Sequence, residues 1–282
     1  MKNHSINIDG KLITLHTPKV MGIINVTPNS FYAESRKQNV DEIVRTAQQM
    51  LGGGATFLDI GGMSTKPGSK EISVQEEIDK VCPAIEAIIK SNSMALISID
   101  TYRNQVAEAA LQAGAKMIND ISGGDLDEKI LTTARKYKTP YICMHMKGTP
   151  QTMQNSPQYE NVTQDVFKNL QQKIVRCREA GIVDVIIDLG FGFGKTLEHN
   201  FDLLKNMDYF QHLDCPILAG LSRKSMLYKS LNITPQESLN ATTAANMIAL
   251  QNGASILRVH DVHEAVECVK VFELAEKKRL NH

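Results

Sequence analysis

One sequence pattern recurs along the 282-residue chain and restricts the folds that the chain can adopt. In each copy a helix-like segment ends in glycine, a few residues follow, a short apolar run comes next, and a polar residue closes it. Glycine at the end of a helix supplies the left-handed conformation that leads the chain into the next strand. The clearest copies are LGGGATFLDI with Asp59, LQAGAKMIND with Asn119, REAGIVDVIID with Asp188 and LQNGASILRVH with His260.

Four further apolar runs bring the candidate strands to eight. They are VMGIIN ending at Asn25, LISID ending at Asp100, YICMHM carrying His145, and PILAG leading to Ser222. Helical periodicity fills intervals between the strands, for example over residues 41–51, 74–90, 104–113, 163–180 and 264–278. Strands that alternate with helices pair in parallel, because parallel neighbours need a crossover connection.

Eight such units of about 35 residues account for residues 20–282 as a single α/β domain, a (β/α)8 or TIM barrel. The main alternative is a doubly wound open sheet, which does not need a polar residue at the end of nearly every strand. A barrel does need them, since its active site is assembled from the carboxyl ends of several strands. Residues 1–19 are predicted to form a separate leader, with a β-hairpin that turns at Asp9–Gly10.

Composition limits the classes of partner. Lys plus Arg and Asp plus Glu both number 31, so no overall field attracts nucleic acid or an anionic membrane. No apolar run approaches the length of a membrane span, and the N-terminus lacks the core of a signal peptide. The five cysteines are scattered and form no CxxC pair, which is typical of reduced thiols. We therefore expect a soluble, cytoplasmic protein whose partners are determined by local sites.

The stretch DVIIDLGFGFGKT, residues 184–196, carries the most specific local signal. A short run rich in β-branched residues ends in Asp188, and alternating Gly and Phe then lead to Lys195. A phosphate-binding P-loop would need glycine where Leu189 stands, and the dinucleotide pattern GxGxxG fails at Lys195. What remains is a carboxylate delivered by a strand into a glycine-rich loop.

Polar side chains at the strand ends should converge on one mouth of the barrel. Burying so many polar groups is costly unless a ligand or mutual hydrogen bonds satisfy them. Any single member is more often a helix cap or a loop contact. The set comprises Asn25, Asp59, Thr65, Asp100, Asn119, His145, Asp188, Ser222, Lys224, Arg258 and His260.

Two subsets of these residues suit different chemistry. Asp100, Asn119 and Asp188 suit a flat heterocycle with several N–H donors on one edge. Arg258 and His260 lie two residues apart on one strand and point the same way, which suits binding of an anion. Asn25 would join them, and its amide oxygen can also contact a divalent metal. The structural alternative for Arg258 is an ordinary salt bridge with a neighbouring acid.

The basic segment SRKSM, residues 222–226, follows the seventh strand, where barrels often bind phosphate. Its Lys224 could also form a Schiff base, as in aldolases. A solvated lysine at a helix start is the structural alternative, but a cation is unfavourable at that end of the helix dipole, which favours an inward role.

Eight motifs in order, from residue 20 to residue 274, resemble those of the dihydropteroate synthase family. They are MGIINVTPNSF, GGMSTKPG, SID, INDISGG, MHMKGTPQTMQ, DLGFGFGKT, GLSRKSM and RVHDV. The resemblance implies a TIM-barrel homodimer of folate synthesis and a target of sulfonamides. It also implies transfer of a hydroxymethyl-dihydropterin from its diphosphate to 4-aminobenzoate, with Mg²⁺ as cofactor and without nucleic-acid or membrane partners.

The resemblance also implies roles for individual residues. The pterin would be held by Asp100, Asn119, Asp188 and Lys224 and lined by Met144, Ile121, Gly220 and Phe193. The diphosphate would be held by Asn25, Thr65, Arg258 and His260, with Asn25 also contacting the metal. The aminobenzoate would lie near Thr65, Lys66, Pro67, Phe31 and Ser222. Lys224, Arg258 and Asn25 would contribute directly to catalysis, and the neutral arylamine needs no general base.

Several positions depart from the family motifs. The departures are Asn29, Ala33, Met63, Lys66 and Leu189, of which Ala33 replaces a usual acid, Lys66 an arginine and Leu189 a proline. Lysine keeps the charge of arginine but loses its two-pronged contact. We therefore expect retained pterin binding with altered aminobenzoate handling and sulfonamide sensitivity. Alternatives are a pterin-binding barrel with altered or lost synthase activity, a corrinoid methyl transferase, and the Lys224 aldolase.

Overall fold

Eight parallel strands form a closed barrel in the computed structural model, which describes residues 4–26, 33–63, 71–153 and 157–279. The strands are β3 Lys19–Asn25, β4 Phe57–Gly61, β5 Leu96–Asp100, β6 Met117–Asp120, β7 Tyr141–Met144, β8 Val185–Asp188, β9 Ile217–Ala219 and β10 Ala254–Val259. They follow chain order, and β10 closes the barrel by pairing with both β9 and β3. The predicted TIM barrel is confirmed, and the open sheet is excluded.

Helices surround the barrel between the strands. They are α1 Ala33–Gly52, α2 Val74–Ser91, α3 Asn104–Ala113, α4 Lys129–Tyr137, α5 Val162–Glu179, α6 Leu197–Lys205, α7 Ser225–Tyr228, α8 Leu239–Gln251 and α9 Val262–Arg279, with a 3-10 helix at Met207–Leu213. The five helices named from periodicity are confirmed, although α1 begins earlier than residue 41. None of the helices in the described ranges is long and apolar enough to span a membrane.

The recurring glycine has the conformation that its position required. Gly114 ends α3 with φ of 119°, and Gly253 precedes β10 with φ of 96°. Both values lie in the left-handed region that glycine adopts without a Cβ penalty. The glycines therefore mark helix ends, as the sequence predicted.

The N-terminal hairpin closes the amino end of the barrel. Strands β1 (Ser5–Ile8) and β2 (Lys11–Thr14) pair antiparallel around Asp9–Gly10, so the predicted hairpin is confirmed. Ile6, Ile8 and Leu15 are buried against the inward side chains at the lower ends of the barrel strands, which are Met21, Phe57, Met117, Ile142, Ile186, Leu218 and Ile256. This apolar plug leaves the opposite mouth for polar chemistry.

Candidate active site

The predicted polar side chains lie at the carboxyl ends of the strands. Backbone register places Asp100 beside Asn119 on the neighbouring strands β5 and β6. Asp188 ends β8, and Asn25 is exposed at the end of β3, opposite Gly61 of β4. Since all eight strands run the same way, these ends share one rim.

A network of charged hydrogen bonds forms the floor of this mouth. The Arg258 guanidinium donates from Nε to Asp59 Oδ2 and from Nη2 to Asp100 Oδ2, each at 2.6 Å. Asn119 Nδ2 donates to the same Asp59 oxygen at 2.9 Å. The structural alternative of an ion pair is thus observed for Arg258, whose side chain lies with the floor acids Asp59 and Asp100.

Burial shapes the electrostatics of the floor. It raises the pKa of Asp100 to about 7, although the nearby charge of Arg258 acts in the opposite direction. Burial also raises the pKa of Asp188, and the Lys224 ammonium opposes that shift. Desolvation penalises the charged form of each carboxylate, so a ligand that donates hydrogen bonds to the ionised form would be favoured.

Asp188 is fixed by the loop that follows β8. Its Oδ1 accepts from the backbone N–H of Gly190 at 2.7 Å. Gly190 has φ of 67°, and a Cβ there would lie 1.9 Å from the carbonyl oxygen of His145. Only glycine fits this position, and the second carboxylate oxygen of Asp188 is left for a ligand.

Lys195 holds the same loop from inside. It is 4% exposed, and its Nζ lies 2.8 Å from Gly190 O, 3.1 Å from Phe193 O and 2.9 Å from His145 Nδ1. Burial drives the pKa of both Lys195 and His145 well below their usual ranges. His145 is therefore bound beneath the loop, although the sequence placed it among the strand-end groups facing the mouth. The ammonium of Lys195 is thus engaged by acceptors within the loop and by His145.

Lys224 points across the mouth toward Asp188. Its ammonium donates to the carbonyl oxygen of Phe191 and lies 5.1 Å from the centroid of the Phe193 ring. Burial lowers the pKa of Lys224 to about 8, against the raising effect of the Asp188 carboxylate. A Cβ added to Gly220 would lie 3.8 Å from both Asp188 Oδ2 and Lys224 Nζ, so the missing side chain keeps this space open.

An apolar slot adjoins these polar groups. Ile121 and Met144, both predicted to line it, are buried in one cluster with Met146 and Met153, and Phe193 packs against that cluster. Sequence reasoning missed Met146, Met153 and the partly buried Tyr102. Apolar side chains around a few fixed polar groups are typical of small-molecule sites.

Ser222 and His260 meet on the β9 and β10 side of the rim. Ser222 Oγ lies 3.0 Å from His260 Nδ1, and the backbone N–H of His260 donates to the same hydroxyl at 3.1 Å. Between Ser222 and Lys224, Arg223 adopts φ of 54° and binds Asp261 through two hydrogen bonds of 2.9 and 2.7 Å. Sequence reasoning assigned nothing to this clamp, although both residues lie within quoted motifs.

The loop after β6 depends on buried charges that sequence reasoning also missed. Asp120 accepts from the backbone N–H groups of Ser122 and Gly124, at 2.7 and 2.8 Å, and from the Tyr141 hydroxyl at 2.5 Å. The buried Lys173 ammonium donates to the carbonyl oxygen of Met144 at 3.1 Å. The bonds from Ser122 and Gly124 to Asp120, and a bond from Lys173 to the carbonyl oxygen of Ser122, hold the segment that carries Ile121.

Four positions predicted to contact substrate lie outside the described residues, namely Phe31, Thr65, Lys66 and Pro67, as does the departure at Asn29. Asn25 is placed at the rim, and no group of three or more His, Cys, Asp or Glu side chains within the described ranges could hold a metal. The described part of the site thus covers the predicted pterin contacts, Ser222 and most of the predicted anion contacts.

Comparison with known proteins supports this reading of the mouth. Residues 21–260 match the family described as "Pterin binding enzyme". The dihydropteroate synthase of Escherichia coli K12 is 42% identical over 267 residues, which cover 94% of each chain. Because the match spans nearly the whole length of both proteins, it includes every strand of the barrel.

Solved structures agree with the sequence match. A Yersinia pestis dihydropteroate synthase in complex with a sulfonamide drug superposes with a TM-score of 0.91 at 41% identity, covering 97% of this chain and 100% of that one. The Xanthomonas albilineans enzyme with 4-aminobenzoic acid gives a TM-score of 0.89 at 35% identity, covering 98% of this chain and 99% of that one. Its complex with 7,8-dihydropteroate gives 0.84 at 32% identity, with coverage of 96% and 98%.

Proposed function

The chain belongs to the family of pterin-binding enzymes, and from this premise we propose that it is a dihydropteroate synthase of folate biosynthesis. It would transfer the dihydropterin methylene group from diphosphate to the amine of 4-aminobenzoate. The observation that carries this proposal is the convergence of Asp100, Asn119, Asp188, Lys224 and Arg258 on one mouth beside an apolar slot.

The floor suits the edge of a pterin. Asp188 uses one oxygen to accept from Gly190, and Asp100 uses one to accept from Arg258, so each keeps an oxygen for a donor on the ring. Hydrogen bonds to ionised carboxylates are shorter and stronger than neutral ones. Met144 and Ile121 would cover the apolar faces of the ring.

The reaction depends on the departing diphosphate. As its bond to the pterin methylene breaks, the electron pair leaves with the diphosphate, and the resulting cation is spread over the pterin ring. Positive and hydrogen-bonding groups at the rim would stabilise the anion, and losing one such group typically costs about 100-fold in rate. Arg258, His260 and Asn25 are the residues we assign to this role.

The aminobenzoate amine attacks the methylene as a neutral nucleophile and then loses a proton to solvent. No strong base is needed, which agrees with a described site built from fixed carboxylates and cations. Ser222, held by His260, is the described residue that we assign to the aminobenzoate side.

A Mg²⁺ ion would bind at this site together with the diphosphate of the substrate. The described residues include no cluster of acidic and histidine side chains for a protein cage. Mg²⁺ commonly keeps several waters and binds substrate phosphates with one or two protein oxygens. The exposed Asn25 side chain would supply such an oxygen, and the bound ion would neutralise charge on the diphosphate.

We also propose a homodimer through the face formed by α6, α7 and α8. A groove of about 440 Å³ on this face is lined by apolar side chains, including Phe201, Leu231 and Ile248, which are 40%, 55% and 42% exposed. Within α8, Ile248 faces this groove and is exposed, whereas Leu250 is fully buried in the core. Sedimentation of the wild type should give a dimer and Ile248→Glu a monomer; a monomeric wild type contradicts the assignment.

The decisive experiment is to incubate the purified protein with hydroxymethyl-dihydropterin diphosphate, 4-aminobenzoate and Mg²⁺. Dihydropteroate and pyrophosphate should form in equal amounts. Asp188→Asn should reduce the rate by about 100-fold, since it removes charge from the floor, whereas Asp208→Asn, at an exposed position on the 3-10 helix, should not. Absence of product with a folded protein contradicts the proposal. A borohydride-trapped adduct on Lys224 would instead favour the aldolase.

A further inference from the structure

Asp59 lies below the ligand-facing residues yet contacts two of them. It is fully buried on β4, level in register with Ser98, whereas Asp100 and Asn119 lie closer to the mouth. Its Oδ2 accepts from both Asn119 and Arg258, and its Oδ1 has no partner among the described residues. A carboxylate this deep acts on a ligand through its neighbours.

The first neighbour is an amide whose two ends are chemically opposite. Asn119 can present either an oxygen acceptor or a nitrogen donor, and the choice is set by the partner at its other end. An ionised carboxylate only accepts hydrogen bonds. With Nδ2 of Asn119 committed to Asp59 at 2.9 Å, the oxygen is the end left for the mouth.

The second neighbour is the Arg258 guanidinium. Two carboxylates hold it through Nε and Nη2, both at 2.6 Å, so its plane and position are fixed from below. The contact with Asp100 also occupies one oxygen of that carboxylate. Without Asp59 the guanidinium would lose one of its two anchors, and its position beside Asp100 would no longer be fixed.

Taken together, the floor presents three acceptors: one oxygen each from Asp100, Asn119 and Asp188. Two of these are carboxylates, which accept in any orientation when ionised, whereas Asn119 accepts only because of its partner. We propose that Asp59 is a positioning residue that makes the pterin pocket an all-acceptor edge by fixing the Asn119 amide and the Arg258 guanidinium. This inference rests on the proposed pterin-binding function.

The test is a double-mutant cycle on residues 59 and 119, with hydroxymethylpterin as the probe in titration calorimetry. Asn119→Asp offers a ligand the same acceptor but opposes the Asp59 carboxylate, so the Kd should rise roughly 10- to 100-fold. Adding Asp59→Asn restores a donor and the total charge, and should recover about tenfold of that loss. If the two changes simply add, so that the double variant binds worse than Asn119→Asp, the proposal is wrong.

A single variant decides the matter if Asn119→Asp does not fold. Asp59→Asn keeps the shape of the side chain but turns two charge-assisted bonds into neutral ones, so pterin Kd should rise roughly 5- to 30-fold. The KM for 4-aminobenzoate at saturating pterin should change less than about twofold, a split that general loosening would not give. Equal losses for both substrates would overturn the proposal.

Ser98→Ala is the matched control. Ser98 is fully buried beside Asp59 on β5, and its hydroxyl has no partner among the described residues. Its removal should leave pterin Kd unchanged, and a loss like that of Asp59→Asn would show that any change at this depth has the same effect. Failure of the wild type to bind pterin would contradict the proposed function, whereas wild-type binding without coupling would contradict only the role of Asp59.

Discussion

Replacing Lys195 with methionine tests whether a buried ammonium shapes the loop after β8. Methionine has nearly the same length but no donor. The change leaves Phe193 O and His145 Nδ1 without the bonds of 3.1 and 2.9 Å that Lys195 makes, whereas Gly190 O keeps a bond from the Phe193 N–H at 3.1 Å. One buried acceptor, His145 Nδ1, and one partly buried acceptor, Phe193 O, therefore lose their partner.

The magnitude follows from these two losses. An unsatisfied buried acceptor costs about 1–3 kcal/mol, and solvent reduces the cost at the partly buried Phe193 O, so the pair costs at most about 6 kcal/mol. Removing a desolvated ammonium offsets part of this cost, as the depressed pKa of Lys195 indicates. We expect a net loss of about 2–4 kcal/mol, and the usual unfolding entropy per residue converts this into a fall in Tm of about 3–7 °C for 282 residues.

The same change should weaken pterin binding. The loop carries the Phe191 carbonyl and the Phe193 ring that contact Lys224, so its relaxation should raise the pterin KM by about tenfold. Calorimetry and steady-state kinetics measure both effects. Lys147→Met is the control, because Lys147 is exposed and bonds to Gln158 O outside this loop. A Lys195→Met protein with wild-type Tm and pterin KM would refute the reasoning.

Two further predictions concern the charged rim. Pterin affinity should rise with pH through about 7, as Asp100 loses its proton, and fall above about 8, as Lys224 loses its own proton. In calorimetric titrations, Asp100→Asn should abolish the rise in affinity on the acidic side. A wild-type affinity that does not change with pH contradicts the assignment. Arg223→Gln should break the two bonds to Asp261 and raise the KM for 4-aminobenzoate by about 5- to 30-fold, as expected for losing a charge-assisted pair, with little change in pterin Kd. Kinetics with each substrate varied in turn would separate the effect on 4-aminobenzoate from the effect on pterin. An Arg223→Gln variant in which only pterin binding is weakened would contradict this prediction.

The fold could be predicted because a short apolar run recurs eight times along the chain, four times after a glycine at a helix end. Each glycine marks a helix end, each short apolar run is buried on both faces, and parallel pairing follows from the intervening helices. The helix α8 gave a weaker signal, since it is apolar around much of its circumference and contains several alanines and threonines. Short helices such as α7 are set by tertiary contacts and leave little periodic trace.

The site was only partly predictable from sequence. Strand ends identified Asp100, Asn119 and Asp188 as neighbours, because a barrel brings all carboxyl ends to one rim. Contacts between side chains could not be predicted in the same way. The contact of Arg258 with Asp59 joins residues 199 positions apart, and its distance depends on barrel geometry that no local pattern records.

The hydrogen-bond network of the floor also explains which departures from the family motifs the structure tolerates. Leu189 replaces a usual proline, yet its side chain is fully buried in the outer core and Asp188 is fixed by the N–H of the next residue, Gly190. The sulfur of Met63, another departure, lies 4.0 Å from the Tyr102 hydroxyl, which donates to Glu71 at 3.2 Å. Neither position supplies an anchor to the floor. A substitution at Asp59 would instead remove the acceptor of two side chains at once, because one oxygen of Asp59 holds both the Asn119 amide and the Arg258 guanidinium in place.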